Sequence, residues 1–313
     1  MIREQKMILS ICVSPCIDVN IEVDSLANGM QHQIISKRTF LTGKAINVAI
    51  GVSRLGNKSY STGFMYEDNG KLFEQQFDKE GVEYKFVWNE GRVRENYKFI
   101  DDKSMLTEFN DVSASVCQQN QQKLIDLVAE ISKSSSVVAM SGGLAKGMSP
   151  EYYGKVLSVV PKNVIKVVDT EGERLLSALK CGVDLAKPNE DELQRTLKTR
   201  FTSRADQLKG CYKLLDMGAK AVLLSLGKHG AIITDGTKNY YAKSNNVAMN
   251  STVGAGDAMV AGACVALENG APLIDVLRCG VAAGTAAVTQ PGAISFTKDK
   301  YDEILSKLTV SEI

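Results

Sequence analysis

The chain has 313 residues, which is more than one minimal domain requires and few enough for a single large α/β core with an appendage. Its 37 lysines and arginines nearly balance its 36 aspartates and glutamates, so no long-range electrostatic field would draw it to nucleic acid or to an anionic membrane. Because only His32 and His229 are present, a multi-histidine metal centre is excluded and most Ser-His-Asp mechanisms lack their parts.

The cysteine pattern and the apolar runs indicate the compartment. Seven cysteines are scattered without a CxxC pair, which is typical of reduced thiols in a cytoplasmic protein. No apolar stretch approaches the roughly 18 to 20 residues that a membrane span requires, and the early run at 7–13 is typical of a buried strand. We therefore expect a cytoplasmic protein without a membrane segment.

Short apolar runs alternate with helix-length segments along most of the chain. Turn residues follow the runs and helical patterns begin soon after, a rhythm that is typical of βαβ units. We therefore predict an α/β fold, with a mostly parallel central sheet between two layers of helices. In chain order, the predicted elements are a strand at 7–13, helices at 44–55, 68–80 and 118–133, a strand at 136–142, a helix at 150–158, strands at 164–170 and 183–189, helices at 190–198 and 204–217, a strand at 221–227, and helices at 255–269 and 272–289.

Two segments break this rhythm, residues 16–40 and 86–112. They alternate apolar and polar residues around turn signals at Asn28-Gly29 and Asp101-Asp102, which predicts hairpins rather than helical crossovers. We expect them to form a small β-sheet lid inserted into a single domain that spans 1–313. Because so small a sheet is marginal alone, it should fold onto the active site, onto a second subunit, or both.

A glycine-rich turn precedes the helical pattern at 255–269. Gly254, Ala255 and Gly256 would leave the backbone amides of a helix N-terminus open to an anion, and Asp257 follows in the first turn. The same residues equally fit a tight turn followed by an acid that the helix dipole stabilises. The sequence contains neither a GxxxxGK[ST] loop nor a strand-linked GxGxxG, so neither a P-loop nor a dinucleotide fold is predicted.

A series of ordered motifs over nearly the whole chain resembles the PfkB, or ribokinase-like, carbohydrate kinases. "STVGAGDAMVAG" at 251–262 is similar to the C-terminal signature of that family, and "GKAINVAIGVSRLG" at 43–56 is similar to its N-terminal signature. The other matching motifs are "TGFMYEDNG" at 62–70, "GRVRENYKF" at 91–99, "SGGLAKG" at 141–147, "VVDTEGE" at 167–173, "KPNEDE" at 187–192, "SLGKHGA" at 225–231 and "AAGTAA" at 282–287. A lone GAGD is a weak signal, whereas an ordered set is a strong one.

The resemblance implies a ribokinase-like three-layer α/β/α fold and phosphoryl transfer that uses ATP and Mg²⁺. "TEFN" at 107–110 and the R-x-N-x-K pattern of Arg94, Asn96 and Lys98 are most similar to the branch that acts on sugar phosphates. The implied acceptor is a ketohexose phosphate. Fructose 1-phosphate is the first choice, and tagatose 6-phosphate, fructose 6-phosphate and an unphosphorylated sugar or nucleoside are the alternatives. A homodimer paired lid to lid is also expected. The alternative to a kinase is a catalytically idle sugar-phosphate sensor that keeps the fold but does not transfer a phosphoryl group.

The resemblance assigns roles to individual residues. Asp257 corresponds to the general base, and Gly254, Ala255 and Gly256 to the amides that stabilise the moving phosphoryl group. The residues implied to bind the sugar phosphate are Asp18, Gly43, Lys44, Asn47, Arg94, Asn96, Ser141 and Gly142, with Lys146 as a further phosphate clamp. Those implied to bind ATP are Lys187, Asn189, Ser225, Gly227, Gly230 and Ala283, and those implied to organise Mg²⁺ through water are Asn189 and Glu192.

Some of these residues also have ordinary structural interpretations. From its position alone, Asp18 fits a turn residue at a strand end, and Asn47 fits the start of a helix. The N-x-x-E spacing of Asn189 and Glu192 also fits a capping box. The residues alone leave both interpretations open.

Three positions depart from the family pattern. The usual GGKG is replaced by Thr42-Gly43-Lys44-Ala45, so two side chains narrow the space beside the sugar, and a positive φ at Thr42 or Ala45 would be costly. Val93 stands in place of the threonine common before the lid arginine, which removes a hydrogen bond worth about 1 kcal/mol. We expect these departures to affect the choice of sugar.

Overall fold

A ten-stranded sheet forms the centre of the computed structural model, which describes residues 7–103, 105–244, 253–289 and 296–313. In chain order, the strands in those residues are β1 (Met7–Cys12), β2 (Cys16–Val23), β3 (Ile34–Thr42), β4 (Ser59–Tyr66), β5 (Glu83–Asn89), β6 (Arg94–Ile100), β7 (Leu106–Asn110), β8 (Ser135–Ser141), β9 (Ile165–Asp169), β10 (Leu185–Ala186), β11 (Val222–Ser225), β12 (Ala231–Thr234), β13 (Asn239–Ala242) and β14 (Val310–Glu312). The helices are α1 (Lys44–Arg54), α2 (Lys71–Glu80), α3 (Gln118–Ile131), α4 (Tyr152–Ser158), α5 (Gly172–Leu179), α6 (Glu190–Leu197), α7 (Arg204–Asp216), α8 (Ala255–Glu268), α9 (Leu273–Ala287) and α10 (Lys298–Lys307).

The central sheet has the spatial order β14-β13-β12-β11-β10-β9-β8-β1-β4-β5. From β11 to β5 every neighbouring pair is parallel, whereas β12, β13 and β14 continue antiparallel at the other edge. Helices α1, α8 and α9 pack together on one face, and α3 to α7 follow one another across the other. The predicted α/β fold with a mostly parallel sheet is therefore confirmed. Among the described residues, no helix combines the length and apolarity that crossing a membrane demands.

Burial on both faces explains why the sequence revealed half of the central strands. Parallel strands between two helical layers carry near-continuous apolar runs, and all six residues of β1 are buried. The strands predicted at 7–13, 136–142, 164–170 and 221–227 lie within one or two residues of β1, β8, β9 and β11. Of the strand predicted at 183–189, Leu185–Ala186 form β10, while Val183 and Asn189 make isolated parallel bridges to Ala219 and Ser225. The strand does not continue, because Pro188 has no N–H to donate and Asn189 caps α6.

Several elements escaped the sequence patterns. Strand β4 is rich in hydroxyl residues, yet all but one of its eight residues are buried. Two of its hydroxyl side chains are satisfied locally, since Ser59 Oγ donates to the carbonyl of Ala49 at 2.7 Å and Thr62 Oγ1 to the carbonyl of Lys85 at 2.6 Å, whereas the buried Ser61 hydroxyl has no partner among the described residues. Helices α5 and α10 and strands β12 to β14 were also not predicted.

A separate four-stranded sheet, called the lid below, has the order β3-β2-β6-β7. Strand β2 pairs antiparallel with β3, and β6 with β7, while β2 and β6 pair in parallel and join the two hairpins. The lid therefore uses most of the two segments that the sequence set apart. Residues 86–89 are the exception, because they belong to β5 of the central sheet, where Phe86 and Val87 are buried.

Candidate active site

A cavity of about 390 Å³ lies between the lid and the central sheet. Strands β1, β8 and β9 run parallel, so the loops at their carboxyl ends meet at this edge. The lining residues are Ser14, Cys16, Asp18, Thr42, Gly43, Lys44, Asn47, Arg94, Asn96, Lys98, Glu108, Asn110, Gly142, Gly143, Thr170, Glu171, Arg174, Glu192, Val253 and Asp257. The cavity is thus enclosed by the lid strands on one side and by the starts of α1, α5 and α8 on the other.

The structure brings about half of the predicted site residues to this cavity. Those that line it are Asp18, Gly43, Lys44, Asn47, Arg94, Asn96, Gly142, Glu192 and Asp257. Those that it places outside the lining, all within the described part of the chain, are Ser141, Lys146, Lys187, Asn189, Ser225, Gly227, Gly230, Gly254, Ala255, Gly256 and Ala283. Ser251 and Thr252 of the glycine-rich motif lie outside the described residues.

Asp257 lies in the first turn of α8. Gly254 precedes the helix with a φ of 81°, a left-handed conformation that favours glycine and makes the tight entry turn. The Asp257 side chain is buried, and its Oδ2 accepts a hydrogen bond of 2.7 Å from Asn47 Nδ2. Burial first, and then the negative charge of Asp169, raise the pKa of Asp257 to about 6. A carboxylate of this pKa is suited to accept a proton near neutral pH.

Asn47 reaches Asp257 from α1, which Gly43 alone separates from lid strand β3. Gly43 joins β3 to α1 with a φ of 143°. Thr42, the last residue of β3, accepts from Asn47 Nδ2 at 2.9 Å and donates its hydroxyl proton to Asn47 Oδ1 at 3.2 Å. The strain that a positive φ would cause at Thr42 or Ala45 does not arise, because Lys198 is the one non-glycine residue with positive φ in the described chain.

Two lysines and two carboxylates form a charge cluster beside the cavity. Lys44 Nζ lies 2.9 Å from Glu192 Oε1 and 3.4 Å from Asp169 Oδ1. Lys187 Nζ lies 3.3 Å from the same oxygen of Asp169. The other oxygen, Asp169 Oδ2, is buried and has no hydrogen-bond partner among the described residues. The cluster therefore offers one free carboxylate oxygen to a ligand.

Opposite charges keep this cluster ionised. Burial opposes the charge of Lys44, but the negative charges of Asp169 and Glu192 outweigh it and raise the pKa of Lys44. Burial likewise opposes the charge of Glu192, but Lys44 and Lys187 hold its pKa below the usual range. The charges are in place before a ligand arrives.

Asn189 and Glu192 form a capping box at the start of α6. The Glu192 N–H donates to Asn189 Oδ1, and the Asn189 N–H donates to Glu192 Oε2, both at 2.8 Å. Because Lys44 binds the other oxygen of Glu192, both carboxylate oxygens are engaged. The capping box that the sequence left open is therefore present, and it directs Glu192 toward Lys44.

The side of the lid that lines the cavity carries a hydrogen-bonded row of polar residues. Asp18 Oδ1 accepts from Asn96 Nδ2 at 3.0 Å, and Asp18 Oδ2 accepts from Lys98 Nζ at 2.8 Å. Arg94 Nη1 donates to Asn96 Oδ1 at 3.1 Å, while the buried Arg94 Nε has no partner in the described part of the chain. These side chains meet because Asp18 pairs with Asn96 in the β2–β6 register, and alternate residues of β6 share a face.

The loop after β8 is held by hydroxyl groups. Gly142 has a φ of 101°, and its carbonyl accepts from the Tyr153 hydroxyl at 2.6 Å and from Thr170 Oγ1 at 2.9 Å. Ser141 is buried, and its own hydroxyl has no partner among the residues described. The loop backbone is therefore fixed, whereas the Ser141 hydroxyl remains unpaired.

The residues predicted to bind ATP continue along the central sheet from α6. Ser225 ends β11. Gly227 begins one turn of 3₁₀-helix and Gly230 follows it, with φ values of 58° and 92°. A Cβ at Gly230 would lie 1.9 Å from a carbonyl oxygen of β13, so only glycine fits there. Ala283 is fully buried in α9, so its side chain belongs to the core and is not exposed to a ligand.

Known proteins resemble this chain over nearly its whole length. Residues 7–300 match the pfkB family of carbohydrate kinases. This chain belongs to that family. The 1-phosphofructokinase of Borreliella burgdorferi is 28% identical over 98% of this chain and 99% of its own length. The tagatose-6-phosphate kinase of Staphylococcus epidermidis is 24% identical over 98% of this chain and 100% of its own length.

Solved structures of phosphofructokinase-2 from Escherichia coli have the same fold as this carbohydrate kinase. The complex of that protein with fructose-6-phosphate is 25% identical and has a TM-score of 0.87, and the alignment covers 96% of this chain and 99% of the other. Its tetrameric inhibited form is 26% identical, with a TM-score of 0.88 and the same coverage. The resemblance inferred from the motifs is therefore confirmed, and this pfkB kinase is a phosphotransferase that acts on an alcohol group.

The structure of the kinase adds site residues that the sequence did not single out. Asp169 ends β9 within the motif at 167–173 and contacts both lysines of the charge cluster. Arg174 lines the cavity from α5, and its Nε donates to Thr170 Oγ1 at 2.9 Å. Glu108 lines the cavity from the lid. Each of these residues lies in or beside a matched motif. A charged residue in such a motif was therefore the sequence signal that could have identified them.

The charge cluster also bears on the divalent metal that carbohydrate kinases use. Among the described residues, no three His, Cys, Asp or Glu side chains gather so that they could hold a metal ion. The free Asp169 Oδ2 lies in the same cluster as Glu192. Mg²⁺ prefers oxygen ligands, keeps several waters and is commonly bound by one or two carboxylates together with substrate phosphates. This donor set fits Mg²⁺ that arrives with phosphates and water.

Proposed function

We propose that this kinase transfers the terminal phosphoryl group of ATP to a ketohexose phosphate, with fructose 1-phosphate as the principal acceptor. The observation that carries this proposal is the buried Asp257 carboxylate, held by Asn47 at a cavity whose lid side carries Arg94. Within the described residues, the Nε of Arg94 is buried and unpaired. The cavity thus combines a base for one hydroxyl with a cation for a phosphate that the acceptor already carries.

The proposed reaction is an in-line displacement. The acceptor hydroxyl oxygen attacks the γ-phosphorus of ATP, and Asp257 accepts the hydroxyl proton. The new bond joins the sugar oxygen to phosphorus, and the bond between phosphorus and the ADP oxygen breaks. The raised pKa of Asp257 supports its role as base. The backbone amides from Gly254 to Asp257 stabilise the charge that develops on the transferred group.

The lid binds the acceptor in this proposal. Arg94 holds the resident phosphate, because its planar guanidinium can donate to two phosphate oxygens at once. Asp18 and Asn96 orient the sugar hydroxyls, and they already form a hydrogen-bonded pair on the lid. The unpaired hydroxyl of Ser141 and the adjacent backbone of Gly142 contribute further contacts to the phosphate.

The phosphates of ATP lie near the starts of α6 and α8 in this proposal. A Cβ built at Gly256 would lie 3.5 Å from Lys187 Nζ, so the first turn of α8 and this ammonium group adjoin each other. When bound, Mg²⁺ neutralises phosphate charge, and Asp169, with Glu192 and Asn189 through water, would hold it. The purine lies between the loop at 225–230 and the segment near Ala282 to Thr285.

An ADP-release assay with a panel of acceptors tests the substrate. The candidates are fructose 1-phosphate, tagatose 6-phosphate and fructose 6-phosphate, each compared by kcat/KM. We expect fructose 1-phosphate to rank first, and a different order would reassign the acceptor within the sugar phosphates. Equal or faster turnover of unphosphorylated fructose or a nucleoside would refute the proposal. Complete inactivity with every acceptor would instead favour a sugar-phosphate sensor.

A pair of arginine variants tests the phosphate site. Arg94→Ala should raise the KM of the sugar phosphate about tenfold or more, since a charge-assisted contact is lost. Arg92→Ala is the matched control, because Arg92 lies on the same lid segment and its side chain is 59% exposed. Equal KM values for the two variants would exclude Arg94 as the phosphate clamp.

We also propose that two copies pair through their lids. Large apolar side chains are more than half exposed on the two edge strands of the lid, namely Ile34, Ile35, Leu106 and Phe109. Exposed apolar edge strands favour pairing with a second chain. Sedimentation of the wild type should give a dimer, and Phe109→Glu should give a monomer, whereas Leu72→Glu on α2 should not. A monomeric wild type at micromolar concentration would refute this assembly.

A cytoplasmic location completes the proposal. All seven cysteines are free thiols, and four of them are buried. Free thiols persist in the reducing cytoplasm, which is the compartment that the sequence indicated.

A further inference from the structure

We propose that Thr42 is a positioning residue that acts through Asn47 on the base, Asp257. This inference rests on the proposed function, because it concerns the same base. Thr42 stands where the resembled family signature has glycine, so its hydroxyl is a feature of this chain. The departure that the sequence associated with the choice of sugar therefore has a second consequence, which concerns the rate of the chemical step.

A continuous chain of buried hydrogen bonds joins the three side chains. Thr42 is 5% exposed, Asn47 is 4% exposed and Asp257 is 7% exposed. Asn47 Nδ2 donates one proton to Asp257 Oδ2 at 2.7 Å and the other to Thr42 Oγ1 at 2.9 Å. The Thr42 hydroxyl proton is directed to Asn47 Oδ1 at 3.2 Å. Thr42 thus contacts both ends of the carboxamide whose third contact is the base.

The hydroxyl restrains the plane of the Asn47 carboxamide. Thr42 is the partner that the structure gives to Asn47 Oδ1, so removing its hydroxyl would leave a buried oxygen that must turn to find another donor. Turning would draw Nδ2 away from Asp257, and the base would lose the contact that orients its carboxylate. A misplaced base slows proton transfer, because general-base catalysis depends on the distance to the proton.

The residues at the two ends of this hydrogen-bonded chain belong to different parts of the molecule. Thr42 ends β3 of the lid, whereas Asn47 lies one turn inside α1 and Asp257 lies in the first turn of α8. The N-cap of α1 is Gly43, and the Thr42 hydroxyl binds Asn47 rather than an amide of the first turn. The hydrogen bond therefore serves the contact between elements and not the start of the helix.

Two substitutions at Thr42 separate the effect of its hydroxyl group from the effect of its branched shape. Thr42→Val keeps the branched side chain and removes the hydroxyl, whereas Thr42→Ser keeps the hydroxyl and removes the methyl group. Thr42→Val should lower kcat about fivefold with both KM values within about twofold, and Thr42→Ser should keep kcat within about twofold. An unchanged kcat in Thr42→Val would overturn the proposal. A rise in the acceptor KM alone would also overturn it, because it would show direct contact with the sugar.

Thermal unfolding distinguishes a merely structural role, which would lower the melting temperature of Thr42→Val and leave kcat of the folded enzyme unchanged. If Thr42→Val does not fold, Thr42→Ala replaces it and the same division between kcat and KM decides.

A double-mutant cycle tests the route through Asn47. In an Asn47→Ala background, Thr42→Val should change kcat by less than about twofold, since the group that Thr42 positions is already gone. A full fivefold loss in that background would show that Thr42 acts independently and would overturn the proposal. If the wild type phosphorylates another acceptor but no sugar phosphate, the proposed function fails, and the same comparisons with that acceptor still decide on Thr42.

Discussion

Two of the helices whose N-termini lie at the active site, α6 and α8, begin in opposite ways. Helix α6 begins with the capping box of Asn189 and Glu192, in which side chains bind the backbone amides of the first turn. Helix α8 begins after Gly254, which has no side chain to offer its amides. Helix N-termini are intrinsically attractive to anions. The first end is therefore closed by its own residues, whereas the second is left for the transferred phosphoryl group in the proposed mechanism.

The acidic residues in the first turns of these two helices also differ, because their pKa values are shifted in opposite directions. Glu192 and Asp257 are equally exposed, at 7% each, yet the pKa of Glu192 is lowered and that of Asp257 is raised to about 6. At Glu192 the charges of Lys44 and Lys187 outweigh burial and lower the pKa, whereas at Asp257 burial first, and then the charge of Asp169, raise the pKa. The balance between burial and the neighbouring charges therefore decides which acid can take up a proton.

The largest expected effect comes from removing the acid at the open helix end. Asp257→Asn should lower kcat about a thousandfold while leaving both KM values close to those of the wild type, because the general base is lost. Asp275→Asn is the matched control, since Asp275 lies in the first turn of the neighbouring α9 outside the cavity lining. Steady-state kinetics check both, and a fully active Asp257→Asn enzyme would exclude Asp257 as the base.

The pH dependence of kcat/KM sharpens the comparison of the two acids. Asp257 must be ionised to accept a proton and has a pKa of about 6, so kcat/KM should fall about tenfold per pH unit below that value. The charges of Lys44 and Lys187 instead hold the pKa of Glu192 below its usual range, so the limb near pH 6 is assigned to Asp257. An acidic limb centred near pH 4 would show that Asp257 is not perturbed in the free enzyme.

Substitution of the cap glycine should affect activity and stability separately. Gly254→Ala forces alanine into a φ of 81°, which costs about 1 to 2 kcal/mol, and moving the α8 amides should lower kcat about fivefold. Gly56→Ala is the control, because Gly56 has a similar φ of 86° and no atom within 4 Å of an added Cβ. Urea unfolding should show similar losses for both variants. A similar kcat loss in both would show that strain, and not the amides, controls the rate.

The smallest expected effect lies at the capped helix end. Asn189→Ala should cost about 1 kcal/mol of stability and raise the KM of ATP about threefold, because Glu192 and its partner Lys44 lose their support. Ser203→Ala removes the N-cap of α7, whose side chain accepts from the Asp206 N–H, and should cost similar stability without changing KM. An unchanged KM of ATP in Asn189→Ala would show that Asn189 serves only as the N-cap of α6.

Sequence patterns revealed the parts of the fold whose pattern is local. The central strands β1 and β8 were found because burial on both faces makes them continuous apolar runs. Strand β4 was missed because its hydroxyl side chains, two of which donate to backbone carbonyls, conceal its burial. The spacing of Asn189 and Glu192 fits both a cap and a metal site, so only the observed hydrogen bonds could identify the capping box.

The site was predictable where a motif carried both the residue and its role. Asp257, Asn47 and Arg94 lie in matched motifs, and the structure brings all three to one cavity. Asp169 was missed because its importance depends on Lys44 and Lys187, which lie far away in sequence and meet it only after folding. The effect of Thr42 was placed on the sugar alone, because its contact with Asn47 depends on a turn geometry that residue types do not specify.

Gly43 is the only residue between lid strand β3 and α1, the helix that carries Lys44 and Asn47. A Cβ at this position would lie 3.2 Å from Cys12 Sγ and 3.3 Å from Pro15 Cα, so the connection is both short and tightly enclosed. The lid therefore cannot move at this connection independently of α1. A rotation of the lid would turn the start of α1 with it, so Gly43 would act as the hinge between the lid and α1. Closure over a substrate and alignment of the base would then be a single movement.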